Sequence, residues 1–317
     1  MSVKMTRRDL ASLAGALLMA GFAGVPSMKR RARGPLEKRR VGIYRAGTYA
    51  EDLSGRVLEG MRSCGLDVKD KKVLVHAHLE GFSDNHSVNA DASVVAGTVE
   101  ALRKLGASDV WVGAGPSRER DTMALAEAAG YPHALPNFEK IFVDLSRDDV
   151  SGMEGFQDEI LYLPVTALRA DLVVSVAKMK TDARWGAALS MENLSGVVPG
   201  QVYGWPRDFG LDEAGRGRFL LELVRTFRRS FAVVDGIVGM EGDGPLDGTP
   251  KSAGVLVMGE TLAATDATCC RVMGIDPARV AYLNGIDTRQ IEVLGESIDA
   301  VRTDFRLVDA NRALRLG

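Results

Sequence analysis

Residues Phe231 to Gly248 read F-A-V-V-D-G-I-V-G-M-E-G-D-G-P-L-D-G, an apolar strand that runs into a glycine-rich acidic segment. Glycine accepts backbone angles that other residues resist, so this segment can curl around a small ligand. Its carboxylates lack cationic neighbours within the segment and are Asp235, Glu241, Asp243 and Asp247. The pattern predicts either a site for a hard cation or polar ligand, or a solvated acidic turn, because glycine and aspartate are common in loops.

A second apolar strand, beginning at Leu172, ends in basic residues: L-V-V-S-V-A-K-M-K-T-D. Lys178 and Lys180 are two residues apart, so their side chains share a face if the strand continues through them. Lysine carries a compact charge that suits carboxylate or phosphate, and a desolvated lysine can act as a base or nucleophile. With the Thr181 hydroxyl beside them, the lysines predict an anion site. The alternative is a pair of exposed lysines at a strand end.

The rest of the chain alternates between short β-branched runs and segments with apolar residues every three or four positions. The predicted strands are Lys72–His78, Asp109–Gly113, Lys140–Asp144, Leu172–Val176, Ser230–Asp235 and Gly254–Met258. The predicted helices are Leu53–Cys64, Ala92–Leu105, Asp121–Ala129, Ala214–Arg228 and Leu262–Met273. This alternation predicts a single α/β domain over residues 41–317, with a largely parallel sheet covered by helices on both faces. In such sheets ligands bind beyond the carboxyl ends of the strands, where these polar residues cluster.

Several motifs of this chain resemble the family known as domain of unknown function 362. They are K-M-K-T-D from Lys178, E-N-L-S-G from Glu192, D-G-I-V-G-M-E-G-D-G-P from Asp235 and D-A-T-C-C-R-V-M-G-I-D-P from Asp266. The resemblance covers roughly residues 41 to 300 and implies a fold, but no reaction. Some relatives carry an additional ferredoxin-like module. This chain has 3 cysteines and no C-x-x-C run, so an iron–sulfur cluster, which needs about four thiolates, is not expected.

The chain departs from the family pattern at two positions in these motifs and at a third place upstream, where relatives often show K-x-N at a strand end and this chain has His76-Ala77-His78. Asp182 stands where a histidine is usual, and Glu192 stands where a second lysine is usual. If these positions bind an anion in relatives, the site here is less cationic and its ligand differs. These departures favour the alternative that the protein binds a cofactor or partner without turnover.

The histidines suggest a metal site. His76 and His78 are two apart on an extended segment, so both point to one face, and His86 lies eight residues further on. Imidazole is a common ligand of Zn, Mn or Fe, and Asp235 can complete the set. The alternative is that these are polar loop residues hydrogen-bonded to the backbone.

These observations give a set of role assignments. The catalytic candidates are Lys178, Lys180 and Glu241, the substrate-binding candidates are Thr181, Asn193, Gly242 and Gly244, and the metal candidates are His76, His78, His86 and Asp235. The expected function is a metal-assisted enzyme acting on a small anionic substrate. The cofactor is left open between a divalent metal and none.

The first 24 residues resemble a twin-arginine export signal. Arg7 and Arg8 precede a mild apolar run from Leu10 to Val25, which is about the length of a signal core and short for a membrane span. Residues 25–40 form a basic linker. The expected partner is the twin-arginine export machinery, and the expected location is periplasmic or anchored on the outer side through this segment. Because the basic linker follows the apolar run, the positive-inside rule supports a cytoplasmic alternative.

Charge disfavours nucleic acid as a partner. Residues 1–40 hold 10 Lys and Arg against 2 Asp and Glu, out of 40 and 42 in the whole chain. The remaining body carries 30 positive and 40 negative groups. Such a body repels a phosphate backbone, so no nucleic-acid binding is expected.

Overall fold

A computed structural model describes residues 39–317 apart from 83–85, 117–120, 157–158, 200–210, 228, 285–286 and 288–289. The expected signal segment, residues 1–24, and nearly all of the basic linker, residues 25–40, lie outside the described residues and stay predictions. The described residues belong to one compact unit. None of the helices in these described ranges is both long enough and apolar enough to cross a membrane.

Within the described residues, ten strands form one mixed sheet in the order β12-β1-β11-β9-β7-β2-β3-β4, with β10 paired to β9 and β8 to β7. Strands β5 and β6 form a separate antiparallel pair. The strands are β1 Arg39–Arg45, β2 Lys72–Ala77, β3 Asp109–Ala114, β4 Phe142–Asp144, β5 Val150–Phe156, β6 Glu159–Pro164, β7 Leu172–Asp182, β8 Gly186–Ala188, β9 Ser230–Glu241, β10 Thr249–Lys251, β11 Val255–Gly259 and β12 Ile291–Gly295.

Helices cover both faces of this sheet. They are α1 Leu53–Ser63, α2 Ala92–Lys104, α3 Thr122–Ala128, α4 Tyr131–Ala134, α5 Phe138–Ile141, α6 Val165–Arg169, α7 Ser190–Leu194, α8 Glu213–Thr226, α9 Leu262–Val272 and α10 Ile298–Val301. Short 3-10 helices span Ser195–Val197, Pro277–Arg279, Ala281–Leu283 and Asp309–Leu314.

The strands feed two hydrophobic cores because successive side chains point to opposite faces. On β7, Val173 packs into the core formed with α6 to α9, whereas Val174 packs into the core formed with α1 to α5. On β9, Val234 and Val233 divide in the same way. Burying one such side chain contributes roughly 1.5–3 kcal/mol, so both faces stabilise the sheet.

The predicted fold class is confirmed. Strands β4, β3, β2, β7 and β9 run parallel to one another in that order, and all six strands predicted from the sequence exist. Antiparallel pairing joins β11 to both β1 and β9, and it joins the short strands β8 to β7 and β10 to β9. The edge strand β12 and its neighbour β1 were not predicted.

The strands β7 and β9 continue further than predicted, and this extension positions the site. The sequence predicts ends at Val176 and Asp235, but the strands reach Asp182 and Glu241. Every residue of β7 is buried, including its charged end. The polar residues at the ends of β7 and β9 therefore belong to these strands, at a level beyond the carboxyl end of β2.

Candidate active site

A cavity of about 290 Å³ lies at the carboxyl ends of β2 and β7. Its polar lining comes from β2 and the residues after it, from the end of β7, and from α7 and α8. The side chains that provide it are His76, His78, Glu80, Lys178, Asp182, Arg184, Glu192, Asn193, Ser195 and Arg216. Much of the remaining wall is apolar, as is usual for small-molecule sites.

Behind this lining lies the fully buried ammonium of Lys180. Its Nζ lies 2.8 Å from His78 Nε2, 2.9 Å from the Pro245 carbonyl oxygen and 3.3 Å from Glu80 Oε2. The Val88 carbonyl oxygen lies 3.4 Å away. The three N–H donors of the ammonium therefore all have acceptors within reach, so the hydrogen bonds of charged Lys180 are satisfied in the protein interior. We call Lys180, His78 and Glu80 the proton triad.

Asn193 fixes the tautomer of His78. The Asn193 amide nitrogen donates to Ser175 Oγ at 2.9 Å, and the carbonyl oxygens of His76 and Val176 lie 3.3 Å from it. Its Oδ1 is therefore the atom that faces His78 Nδ1, at 3.0 Å, and an oxygen can only accept. His78 must carry its proton on Nδ1, which leaves Nε2 to accept from the lysine ammonium.

The buried environment shifts the pKa of each member of the triad. Burial lowers the pKa of Lys180, although the Glu80 carboxylate opposes the shift. Burial and the Lys180 charge lower the pKa of His78. Burial alone would raise the pKa of Glu80, but the Lys180 charge and the His78 hydrogen bond outweigh it and hold that pKa well below its usual range. The triad therefore consists of a carboxylate, a neutral imidazole and an ammonium that is readier than usual to release a proton.

Lys178 is held in a different pair. It stands opposite Asp235 in the parallel register of β7 and β9, and its Nζ lies 2.5 Å from Asp235 Oδ2, with both side chains fully buried. The Tyr49 hydroxyl accepts from Lys178 at 3.0 Å and from the Val238 amide at 3.1 Å, and it donates to Asp235. The Asp91 amide also donates to Asp235, at 3.1 Å. Lys178 lines the cavity, but its charge is neutralised.

The end of the glycine-rich acidic segment, residues 241–248, is called the acid-glycine loop. It contributes backbone to the cavity, and its carboxylates do not line the cavity. Gly244 and Pro245 line the cavity, and Thr181 Oγ1 anchors the loop by donating to the Gly242 carbonyl oxygen at 3.0 Å. Thr181 and Gly242 do not line the cavity, nor does Glu241, whose Oε2 accepts from a backbone amide at 2.9 Å. The structure therefore gives no support to Glu241 as a catalytic residue in this cavity. Asp235, which was expected to be a metal ligand, pairs with Lys178 from outside the segment.

The four metal candidates do not converge. His76 and His78 line the cavity, but His78 Nε2 faces an ammonium. The side chain of His86 is 62% exposed and lies 2.6 Å from an Asp91 carboxylate oxygen, and its ring centroid lies 4.8 Å from that of Tyr49. Asp235 is held by lysine. Among the described residues, no group of three or more His, Cys, Asp or Glu side chains is arranged to hold a metal ion. The predicted ligand set is therefore not formed by these residues.

Asp182 and Glu192, which depart from the family pattern, both line the cavity. Glu192 forms a salt bridge with Arg216 of α8, and Arg216 is almost fully buried. Asp182 is 5% exposed, and its Oδ1 accepts from the backbone amides of Arg184 and Trp185, both at 2.7 Å. Burial raises the pKa of Asp182 to about 6, with the nearby Glu192 charge adding to the shift.

This raised pKa predicts a stability difference that depends on pH. Because the folded carboxyl holds its proton up to a higher pH than the unfolded one, Asp182 lowers stability as pH rises from about 4 to 6. Asp182→Asn keeps the Oδ1 acceptor and removes the titration. Urea unfolding should show the wild type losing up to about 3 kcal/mol relative to this variant between pH 3 and 7. A difference that does not change with pH would contradict the assignment.

Asp266 anchors the helix that carries Asn193. It lies inside α9. Its carboxylate accepts the amides of Ser190 and Met191, both at 2.9 Å, at the start of α7. The Ser175 hydroxyl then donates to the Ser190 carbonyl oxygen at 2.9 Å. Asn193 is thus held by contacts from both β7 and α9.

Sequence reasoning missed several residues in and around the site, among them Glu80, Tyr49 and Arg216. Glu80 had a usable signal, because His76, His78 and Glu80 recur every second residue and can share a face. Tyr49 and Arg216 had none, because each reaches the site from a distant segment. Their roles depend on contacts across the sheet.

Comparisons with known proteins find similarity both to a protein sequence and to solved structures. The chain is 26% identical over 240 residues to the thylakoid-associated protein sll1697 of a Synechocystis species, covering 75% of this chain and 74% of that protein. The lactate racemase apoprotein from Thermoanaerobacterium thermosaccharolyticum superposes with a TM-score of 0.49 and 14% identity over 78% of this chain. The match spans 61% of that racemase chain.

The motifs on and after β7 and β9 are among those that resemble domain of unknown function 362. The family described as domain of unknown function (DUF362) matches residues 73–271, which include the proton triad and the acid-glycine loop. This match covers more than half of the chain. The protein belongs to the DUF362 family.

Proposed function

We propose that this protein is an enzyme that transfers a proton to or from a small molecule bound in the cavity. The proposal rests on the proton triad, in which Lys180, His78 and Glu80 lie within 3.3 Å of one another. His78 and Glu80 line the cavity, so a ligand can reach the triad. General acid–base catalysis requires groups whose pKa is moved toward the working pH, and burial moves the pKa of Lys180 in that direction.

The roles within the triad follow from its charges. Lys180 is the proton source, since burial destabilises its charged form. Its hydrogen bond to His78 Nε2 gives the proton a path to the cavity lining. Glu80 stays ionised and balances the positive charge wherever the proton resides. Asn193 keeps the imidazole in the tautomer that leaves Nε2 open to that proton.

The anion site that was predicted from Lys178, Lys180 and Thr181 has less support than the acid–base role. Lys178 pairs with Asp235, Lys180 with Glu80, and Arg216 with Glu192. The cations that the sequence associates with an anionic substrate are therefore neutralised within the protein. Because the metal candidates do not converge, no step is assigned to a metal. The anionic substrate stays a prediction.

The proposal predicts exchange of protons with solvent. We expect the full chain, incubated in D2O with a pool of small polar metabolites, to place deuterium at a carbon position of at least one compound. His78→Gln should lower the initial rate at least tenfold, since acid–base groups contribute about 10²–10⁴. Mass spectrometry of the pool measures the rate. The control His86→Gln removes an exposed histidine outside the cavity and should leave the rate unchanged.

A spectroscopic measurement tests the triad without knowledge of the substrate. The chain has 4 histidines, so ¹⁵N-histidine labelling gives few signals to assign. His78 should show the Nδ1–H tautomer at neutral pH, and Asn193→Leu, which removes the Oδ1 acceptor, should change its tautomer balance. Exchange that is absent in the wild type, or equal in His78→Gln, would favour the non-catalytic alternative.

A further inference from the structure

Asp182 has an oxygen that its own fold does not use. The side chain is 95% buried and lines the cavity. Its Oδ1 accepts the amides of Arg184 and Trp185, as in a turn that aspartate commonly forms. For Oδ2, the described part of the chain supplies no hydrogen-bond or salt-bridge partner. One carboxylate oxygen is thus left for a ligand.

The cations around the cavity that form ion pairs are bound to other carboxylates. Lys178 forms an ion pair with Asp235, with 2.5 Å between the charged atoms. The Lys180 ammonium lies against Glu80 and the other acceptors of the triad. The Arg216 guanidinium is paired with Glu192, whose negative charge repels that of Asp182. The Lys180 charge offsets that of Asp182 only in part, since burial and the Glu192 charge still raise the pKa of Asp182. A buried carboxylate is costly unless a partner is present.

We propose that the cavity binds a small molecule whose protonated amino group pairs with Asp182 Oδ2. The inference rests on the proposed function in that the same cavity must admit a ligand, and it names the class of that ligand. The wall of the same cavity also contains apolar residues, including Leu79, Ala188 and Leu189. They suit a ligand with an apolar body. A charge-assisted hydrogen bond is about twice as strong as a neutral one, so Asp182 selects an ammonium over a hydroxyl.

Three probes of nearly equal shape test this selection. They are 3-phenylpropylamine, 3-phenylpropan-1-ol and 3-phenylpropanoate, which carry an ammonium, a hydroxyl and a carboxylate on the same phenylpropyl body. We expect the full chain at pH 7.5 to bind the amine at least tenfold more tightly than the carboxylate, with the alcohol between them. Ligand-observed NMR titration gives the three dissociation constants. A preference for the carboxylate, equal affinities, or no binding of the amine would overturn the proposal.

Variants connect the selection to Asp182. Asp182→Asn keeps the turn acceptor but replaces Oδ2 by a donor, so amine affinity should fall at least tenfold. Asp182→His, which places the residue usual in the family there, should give the same loss. Glu241→Gln is the matched control, because its carboxylate lies outside the cavity, and amine affinity should be unchanged.

The outcomes separate this inference from the proposed function. Amine selection that depends on Asp182, together with no deuterium exchange, would contradict the proposed function alone. Exchange that depends on His78, together with indifference to the amine, would contradict the ligand class alone. Amine binding retained in both Asp182 variants would also overturn the inference.

Discussion

A Lys178→Met variant is expected to lose about 3–5 kcal/mol of its free energy of unfolding, because Asp235 then stays buried without a cation. Both side chains of this pair are fully buried, and their charged atoms lie 2.5 Å apart. Methionine matches the stem of lysine and keeps the packing, so the loss reports the charge. The Tyr49 hydroxyl also loses one of its donors. Urea unfolding of the full chain, followed by circular dichroism, measures the change.

Lys104→Met provides the matched control. Lys104 forms an ion pair with Glu100 at 2.6 Å, nearly the same separation, but both side chains are about half exposed. Water screens such a pair, so its removal should cost only about 0.3–0.5 kcal/mol. If the two variants lose equal stability, the Lys178 pair does not have the structural role assigned here.

A Gly244→Ala variant is expected to lose about 3 kcal/mol or more, because the added methyl group would clash with the backbone carbonyl oxygen of Thr181. Backbone cannot rotate away as a side chain can, so the loop must shift. That shift would also move Pro245, whose carbonyl oxygen accepts from Lys180. Urea unfolding measures the loss, and the ¹⁵N signal of His78 reports whether the triad has changed.

Gly47→Ala is the control for this substitution. A methyl group there would meet only a flexible Glu51 carboxylate, at 3.3 Å, so stability should change by about 0.5 kcal/mol or less. If Gly244→Ala unfolds like the wild type and the His78 signal does not move, the loop is not the rigid cavity wall described above.

The sequence predicted the main strands well, since hydrophobic periodicity reflects burial directly. It placed the ends of β7 and β9 too early, because Lys178, Lys180 and Asp182 look like loop residues. The two lysines lie in a strand because carboxylates from other segments pair with them, and Asp182 ends that strand with Oδ1 held by two amides of the following turn. The edge strand β12 was missed because half-buried edges carry a weaker apolar pattern.

The candidate site was predicted in part. The lysines, His76, His78, Asn193 and Gly244 were singled out, and each lines the cavity or bonds a residue that does. Glu241 and His86 were included because their residue types fit the chemistry, but their side chains contact other parts of the protein. Residue type predicts which side chains can do chemistry and does not predict which of them meet.

The sequence by itself determined the alternating α/β plan, the family, and the placing of unusual polar residues just after apolar strands. These properties follow from local patterns that any stretch of chain displays. Only the tertiary structure decided that Lys178 pairs with Asp235 and Lys180 with His78 and Glu80, and that Asp182 keeps one oxygen for a ligand. Strand order and register bring together residues far apart in the chain, and in a buried site that pairing decides which charges are neutralised and which remain to bind.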